Sequence, residues 1–147
     1  MIRATRIRSV VAADVATDAI ELDFDQRHRR RIAMTSRAGR EFLLDLPRAV
    51  AIRHGDGLEL EDGTVVFVHA KPEAVADITA NDDEHLNRIA WHLGNRHLPT
   101  EILNGRLRIR EDHVIVDMVR QLGGKVECKQ APFHPEGGAY AGHGHAH

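Results

Sequence analysis

The chain has one cysteine in 147 residues, so it cannot form an intrachain disulfide, and aromatic residues make up only 4% of it. No apolar stretch approaches the roughly 18 to 20 residues needed to cross a bilayer. The opening residues, Met1-Ile2-Arg3-Ala4-Thr5-Arg6-Ile7-Arg8, interleave arginine with isoleucine and build no apolar core of a secretory signal. A cytoplasmic protein is the expectation. Neither sign of charge dominates: 20 Lys and Arg against 22 Asp and Glu leave a net −2. Such a field is too weak to gather polyanions, so neither nucleic acid nor a membrane is an expected partner. Also missing are a His-Glu-x-x-His pair, a Walker glycine loop and a Gly-x-Gly-x-x-Gly turn after a strand. With no Ser or Cys nucleophile in a recognisable setting, an enzyme is the least supported class.

What the chain does have is histidine. There are 11, and eight of them lie between His85 and His147. Imidazole is the commonest metal ligand and titrates near neutrality, so the composition poses a metal question. Three of these residues close the chain in Gly142-His143-Gly144-His145-Ala146-His147. Imidazoles alternating with residues that have little or no side chain can turn toward one ion at low steric cost, and a short His-rich tract reads as metal binding. Imidazole suits Ni, Cu, Zn and Fe alike, so ligand type does not choose among them.

Organisation along the chain is legible from pattern. The first 70 or so residues show strand signals: Ile2 to Arg8, Glu41 to Leu46 stopped by Pro47, and Leu58 to Val68 around Asp62-Gly63. An Asp-Gly pair between β-rich flanks predicts a tight hairpin turn with positive φ at both residues. Residues 1–71 are expected to form a small antiparallel β domain. From Pro72 the pattern becomes mixed. Ala74 to Ala80 reads as a strand, and Asn81 with Glu84 has the spacing of a capping box. Leu86, Ile89, Ala90 and Leu93 recur at helical spacing up to a glycine stop at Gly94. Thr100 to Leu103 and Arg106 to Arg110 flank the hairpin dipeptide Asn104-Gly105, with Leu107 and Ile109 inward and the arginines toward water. Asp112 is the cap of a second helix with Ile115, Met118, Val119 and Leu122 buried, ended by Gly123-Gly124. Lys125 to Lys129 alternates again. The order β-α-β-β-α-β over residues 72–134 predicts a ferredoxin-like domain, making the chain α+β. Residues 135–147 are expected to be a disordered, His-containing tail.

Other candidates are weaker. His92 and His97 straddle Gly94 and are not an i, i+4 chelating pair, although one surface His at a two-fold axis meets its own copy and makes a two-imidazole site in a homodimer. Asp112 is foremost a helix cap, and His113 beside it is a further, weaker ligand candidate. Cys128 shares a strand face with Val126 and is expected to be a small buried hydrophobe. Arg27-His28-Arg29-Arg30-Arg31 reads as a solvated loop or edge strand.

Three segments resemble a known family: His92-Leu93-Gly94-Asn95-Arg96-His97-Leu98-Pro99; Asp112-His113-Val114 with Asp117-Met118 and Arg120-Gln121-Leu122-Gly123; and Pro132-Phe133-His134-Pro135-Glu136-Gly137-Gly138-Ala139-Tyr140 before the His tail. Together they look like the urease accessory protein E family, over the whole chain. The resemblance implies a β domain described as peptide-binding, a ferredoxin-like metal-binding domain and a variable tail. It further implies a cytoplasmic, homodimeric nickel metallochaperone that delivers Ni(II) to the assembling urease. Its implied partners are the other accessory proteins, including the GTPase, and the urease apoprotein complex. The family's interfacial ligand maps onto His97, once per chain, with His143, His145 and His147 as tail ligands. His113 and His92 stand behind them as weaker candidates. A further peripheral His of some members is Glu111 here, which leaves the pair with His113 incomplete. The tail is short beside the longest family examples, which points to delivery of one or a few ions, and Zn(II) or Cu(II) is expected to bind the same imidazoles in vitro. Two other readings remain open: a histidine-rich nickel or zinc buffer without a dedicated client, and a regulatory module whose histidines are incidental.

Overall fold

The computed structural model describes residues 1–12 and 15–137, and the described residues form two compact units, 1–71 and 72–137. Most of the expected tail, including His143, His145 and His147, lies outside the described residues.

The first unit contains β1 (Arg3–Arg8), β2 (Asp18–Leu22), a four-residue helix α1 (Phe24–Arg27), β3 (Arg31–Thr35), β4 (Glu41–Asp45), β5 (Gly57–Leu60) and β6 (Val65–Ala70). They make one curled sheet in the order β2-β6-β5-β1-β4-β3. Alternate residues point inward, so Ala4, Ile20, Leu22, Met34, Phe42, Leu44, Leu58, Leu60, Val66 and Val68 share one core. The three ladders β3/β4, β5/β6 and β1/β5 are antiparallel, but β1 runs parallel to β4 and β2 parallel to β6. Alternation reports which face a residue takes and says nothing of strand direction. Only a short hairpin turn forces antiparallel pairing, and both parallel pairs join strands far apart in the chain.

The predicted hairpin forms with a different turn. Gly63 alone has positive φ, at 86°. Leu60 N–H donates to Thr64 O at 2.8 Å and Gly63 N–H to Leu60 O at 2.9 Å, which makes a three-residue loop. The Asp62 carboxylate accepts from Thr64 N–H at 2.9 Å and from its hydroxyl at 2.6 Å. That local turn keeps Asp62 in ordinary backbone space and leaves the left-handed step to Gly63.

Arg27 departs from the expected solvated loop, being only 1% exposed. Asp23 and Gln26 close a reciprocal cap around α1, which turns the Arg27 side chain inward. Its Nε donates to Leu22 O at 3.2 Å and its Nη1 to Ile52 O at 3.3 Å. A guanidinium can be buried when carbonyls replace its water.

The second unit contains β7 (Glu73–Thr79), α2 (Asp83–Asn95), β8 (Glu101–Leu103), β9 (Arg106–Arg110), α3 (His113–Gln121) and β10 (Lys125–Ala131). The sheet order is β10-β7-β9-β8 with every ladder antiparallel, the expected ferredoxin-like arrangement. Ile89 and Leu93 of α2 and Ile115, Val116 and Val119 of α3 pack on Ala76, Ile78, Leu107 and Ile109 of the sheet. Full burial of each such Leu, Ile or Val contributes about 1.5–3 kcal/mol.

The cap of α2 is Asp82 rather than Asn81, its carboxylate accepting from His85 N–H at 2.8 Å. His85 then does what Glu84 was expected to do. Its Nδ1 accepts from Asn81 N–H at 3.2 Å, and its Nε2 lies 2.7 Å from Leu122 O at the end of α3. The tautomer with hydrogen on Nε2 satisfies both, so one ring ties the start of one helix to the end of the other. His85→Ala should cost about 1–2 kcal/mol in urea melts while leaving metal binding unchanged; an unaltered midpoint would remove this structural role.

Candidate metal centre

The expected glycine stop at Gly94 does not act, for Gly94 lies inside α2. The helix ends two residues later, at Arg96, and His97 takes the left-handed conformation with φ 56°. Leu98 N–H returns to Leu93 O at 3.2 Å and His97 N–H to Gly94 O at 2.9 Å. These are the paired bonds of a Schellman ending. The stop is set by Leu98 folding back onto the core that contains Leu93, and Pro99 follows as a residue that cannot continue a helix.

The other helix of the unit provides an internal comparison. At the end of α3, Gly124 N–H donates to Val119 O at 2.9 Å and Gly123 N–H to Arg120 O at 3.0 Å. The left-handed residue there is Gly123, at φ 87°. His97 thus occupies a position that its counterpart gives to glycine. A residue with a Cβ costs about 1 kcal/mol there, and the outcome is an exposed imidazole on a hydrogen-bonded turn.

The remaining described candidates are dispersed. His92 lies in the last turn of α2, half-buried, with its ring edge-on to Trp91 at 5.1 Å. His113 is the exposed first residue of α3, where Asp112 is the cap, accepting from Val114 N–H at 3.0 Å and Ile115 N–H at 3.2 Å. Cys128 is exposed rather than buried. It faces the helix side of the sheet, as alternation requires, but β10 is an edge strand and the helices leave that position open. Its thiol is pushed up by partial burial and by the Glu111 carboxylate. Among the described residues no three His, Cys, Asp or Glu come together to hold a metal ion.

The chain after β10 is held back across the sheet. Arg108, expected to face water, is buried on the face away from the helices and pairs with Asp77 at 2.7 and 3.1 Å. Alternation identifies that face but not what covers it. Its cover is the segment after Ala131: Arg108 Nη1 donates to Pro132 O at 3.0 Å, Phe133 is fully buried with Arg110 5.8 Å over its ring, and His134 N–H donates to Glu101 at 2.9 Å. Glu136 N–H then donates to Thr100 O at 2.8 Å, three residues past His97. Residues 135 and 136 of the expected tail are therefore tied down, beside the turn that carries His97.

A second histidine pair lies in the first unit. His54 and His69 have ring centroids 5.5 Å apart, with Phe67 4.7 Å from His69. His54 Nδ1 accepts from Ala70 N–H at 3.1 Å. Burial, with Arg37 and His54 nearby, holds the His69 imidazole below its ordinary value. His69 also lines a cleft of about 370 Å³ with Arg37, Thr17 and Asp18. Nothing in the residue spacing brings His54 and His69 together. The hairpin of β5 and β6 does.

Comparison with known proteins follows the same division of the chain. Residues 3–71 match the model of the UreE urease accessory protein N-terminal domain, and residues 73–147 that of the C-terminal domain. A urease accessory protein UreE of Bradyrhizobium sp. (strain ORS 278) is 57% identical over 148 residues, covering all of this chain and 70% of that protein. Those of Chelativorans sp. (strain BNC1) and Rhodobacter capsulatus are 53% and 42% identical, each covering 99% of this chain and 90% and 94% of theirs. With both domain models matched in sequence and the ferredoxin-like unit in place, the chain belongs to the UreE urease accessory protein family.

Proposed function

We propose that the chain is a cytoplasmic homodimeric nickel carrier in which His97 of each protomer meets its copy at the two-fold axis and holds one Ni(II) for delivery to the assembling urease. The observation that carries this reading is the placement of His97. A left-handed helix ending, where glycine is the unstrained choice, carries an exposed imidazole. Strained positions of this kind gather at binding sites. One imidazole is not a site, and the remaining ligands are the partner's copy and the tail residues His143, His145 and His147. The Glu136–Thr100 bond supports this. From Glu136 to His143 is seven residues, so at about 3.3–3.6 Å per residue the tail root leaves its imidazoles within reach of His97. His92 and His113 are secondary ligands.

Exposure supports a dimer face beside His97. Trp91 and Ile102, 64% and 61% exposed, flank His97 along the chain, and β8, which carries Ile102, pairs with β9 alone and leaves its other edge open. Large apolar side chains on such a surface mark contact with another protein.

Imidazoles suit a carrier. Each can leave in turn, and protonation near neutrality weakens the set, so the ion is held against competitors yet released to a recipient. Zn(II) and Cu(II) would compete for the same ligands in vitro. The partners are the other urease accessory proteins, the GTPase among them, and the urease apoprotein. In the host strain, deletion of the gene should lower urease activity at limiting nickel, with recovery on nickel supplementation. Unchanged low-nickel activity would end the proposal.

A further inference from the structure

We propose that the outer edge of β3 docks an acidic segment of a partner protein through Arg29, Arg30, Arg31, Arg48 and Arg53, none of which is among the proposed nickel ligands. Between residues 27 and 53 the sequence holds eight arginines, no lysine and two carboxylates, in a chain whose net charge is −2. The fold concentrates that charge. Arg30 O accepts from Leu46 N–H at 2.9 Å and Arg30 Nη1 donates to Leu46 O at 3.2 Å, while Arg27 O accepts from Ile52 N–H at 3.1 Å. Segments 27–31 and 46–53 therefore lie side by side, with the five guanidinium-bearing residues exposed.

Elsewhere in the same unit Arg3 pairs with Asp45 and Glu61, Arg6 with Glu59 and Arg40 with Asp62, while the exposed Arg8 and Arg37 stand apart from one another in sequence and have no carboxylate partner among the described residues. The five patch arginines reach no carboxylate among the described residues. The nearest acid by register, Asp45 opposite Arg31, is engaged by Arg3.

Beside the patch runs an unpaired strand edge. β3 pairs with β4 alone, and between β3 and the opposite edge strand β2 is a cleft of about 160 Å³ lined by Ile32 to Thr35, Ile20 to Leu22 and Gln26. An extended segment laid along such an edge gains main-chain hydrogen bonds, and flanking arginines bind its carboxylates through their planar forks. Protection of the edge from aggregation is a smaller task that a charge or two accomplishes, lysine above all. Nucleic acid fits less well, because Phe42, the one Phe, Tyr or Trp in residues 27–53, is fully buried and leaves the single imidazole of His28 as the exposed ring for a base to stack on. No large apolar side chain is exposed in that stretch to anchor a lipid surface.

The probe is a fluorescein-labelled peptide of about a dozen alternating glutamate and threonine residues, titrated with the full chain and followed by anisotropy. Binding should weaken steeply as salt rises from about 0.05 to 0.2 M and fall at least tenfold in the triple variant Arg29→Gln, Arg30→Gln, Arg31→Gln. The double variant Arg48→Gln, Arg53→Gln should lose less. An unchanged nickel isotherm and far-UV spectrum would show that the variants are folded. Absence of peptide binding by the native chain, full binding by both variants, or tighter binding of an oligothymidylate of equal length would each overturn the proposal.

Discussion

Replacing His97 with alanine should lower nickel affinity per dimer by at least tenfold in calorimetry, and replacing it with glycine should do the same while raising the melting temperature. The two variants separate what the residue does for the ion from what it does for the chain. Alanine removes the imidazole but keeps a Cβ at φ 56°, so the backbone strain stays and stability should barely change. Glycine removes both. Relief of about 1 kcal/mol of left-handed strain corresponds to a few degrees in a domain of this size. The Schellman bonds from His97 N–H and Leu98 N–H are main-chain bonds, and either substitution leaves them intact. If both variants bound nickel as the native chain does, His97 would not be a ligand. If glycine lowered the melting temperature, the comparison with Gly123 would fail.

The same turn shows what a sequence can and cannot disclose. Helices and hairpins whose ends are set by local chemistry were legible. Asp112 caps α3, Gly123 ends it, and Gly105, with positive φ, turns β8 into β9. Where two local signals compete, neighbouring residues give no ranking. Gly94 looks like a stop only until Leu98 is seen to fold onto the core, and Asn81 looks like a cap until Asp82 takes the His85 N–H. Pro99, three residues past the true ending at Arg96, was the available hint for His97.

Long-range features were less accessible. Alternation placed Arg108 on the correct face, yet the burial of that face depends on Phe133 and Pro132 returning from 24 or more residues away. Strand direction in β1/β4 and β2/β6 leaves no trace in residue pattern. The metal candidates divide in the same way. His97 is proposed from its motif, while His85 becomes a helix tie, and His54 and His69 a pair, only through tertiary structure.

The buried Asp77 should have the largest effect on stability. It is 3% exposed and takes Arg108 in a forked pair, with Arg106 Nε at 3.1 Å and Lys129 Nζ at 3.2 Å. Asp77→Ala would leave the buried Arg108 with only Glu101, at 4.0 Å, as a counter-charge, and breaking such a pair from one side costs about 3 kcal/mol or more. The low end applies, because Arg106 and Lys129 are partly exposed and can turn to solvent. Burial pushes the Asp77 carboxyl upward, but hydrogen bonds from Arg108 and Lys129 outweigh it and hold the group below its ordinary value. The folded state therefore binds this proton less readily than the unfolded chain does. The contribution is fully present above the ordinary carboxylate range and is lost as pH falls toward the depressed folded value. Urea melts should show native and Asp77→Ala proteins well separated at neutral pH and converging in acid. Arg108 also holds Pro132 O, so the variant should loosen the segment that brings the tail to Thr100 and weaken nickel binding by less than His97→Ala does, with all ligands still present. A difference under about 1 kcal/mol at neutral pH, or one that persists undiminished in acid, would mean that the pair does not anchor this face of the sheet.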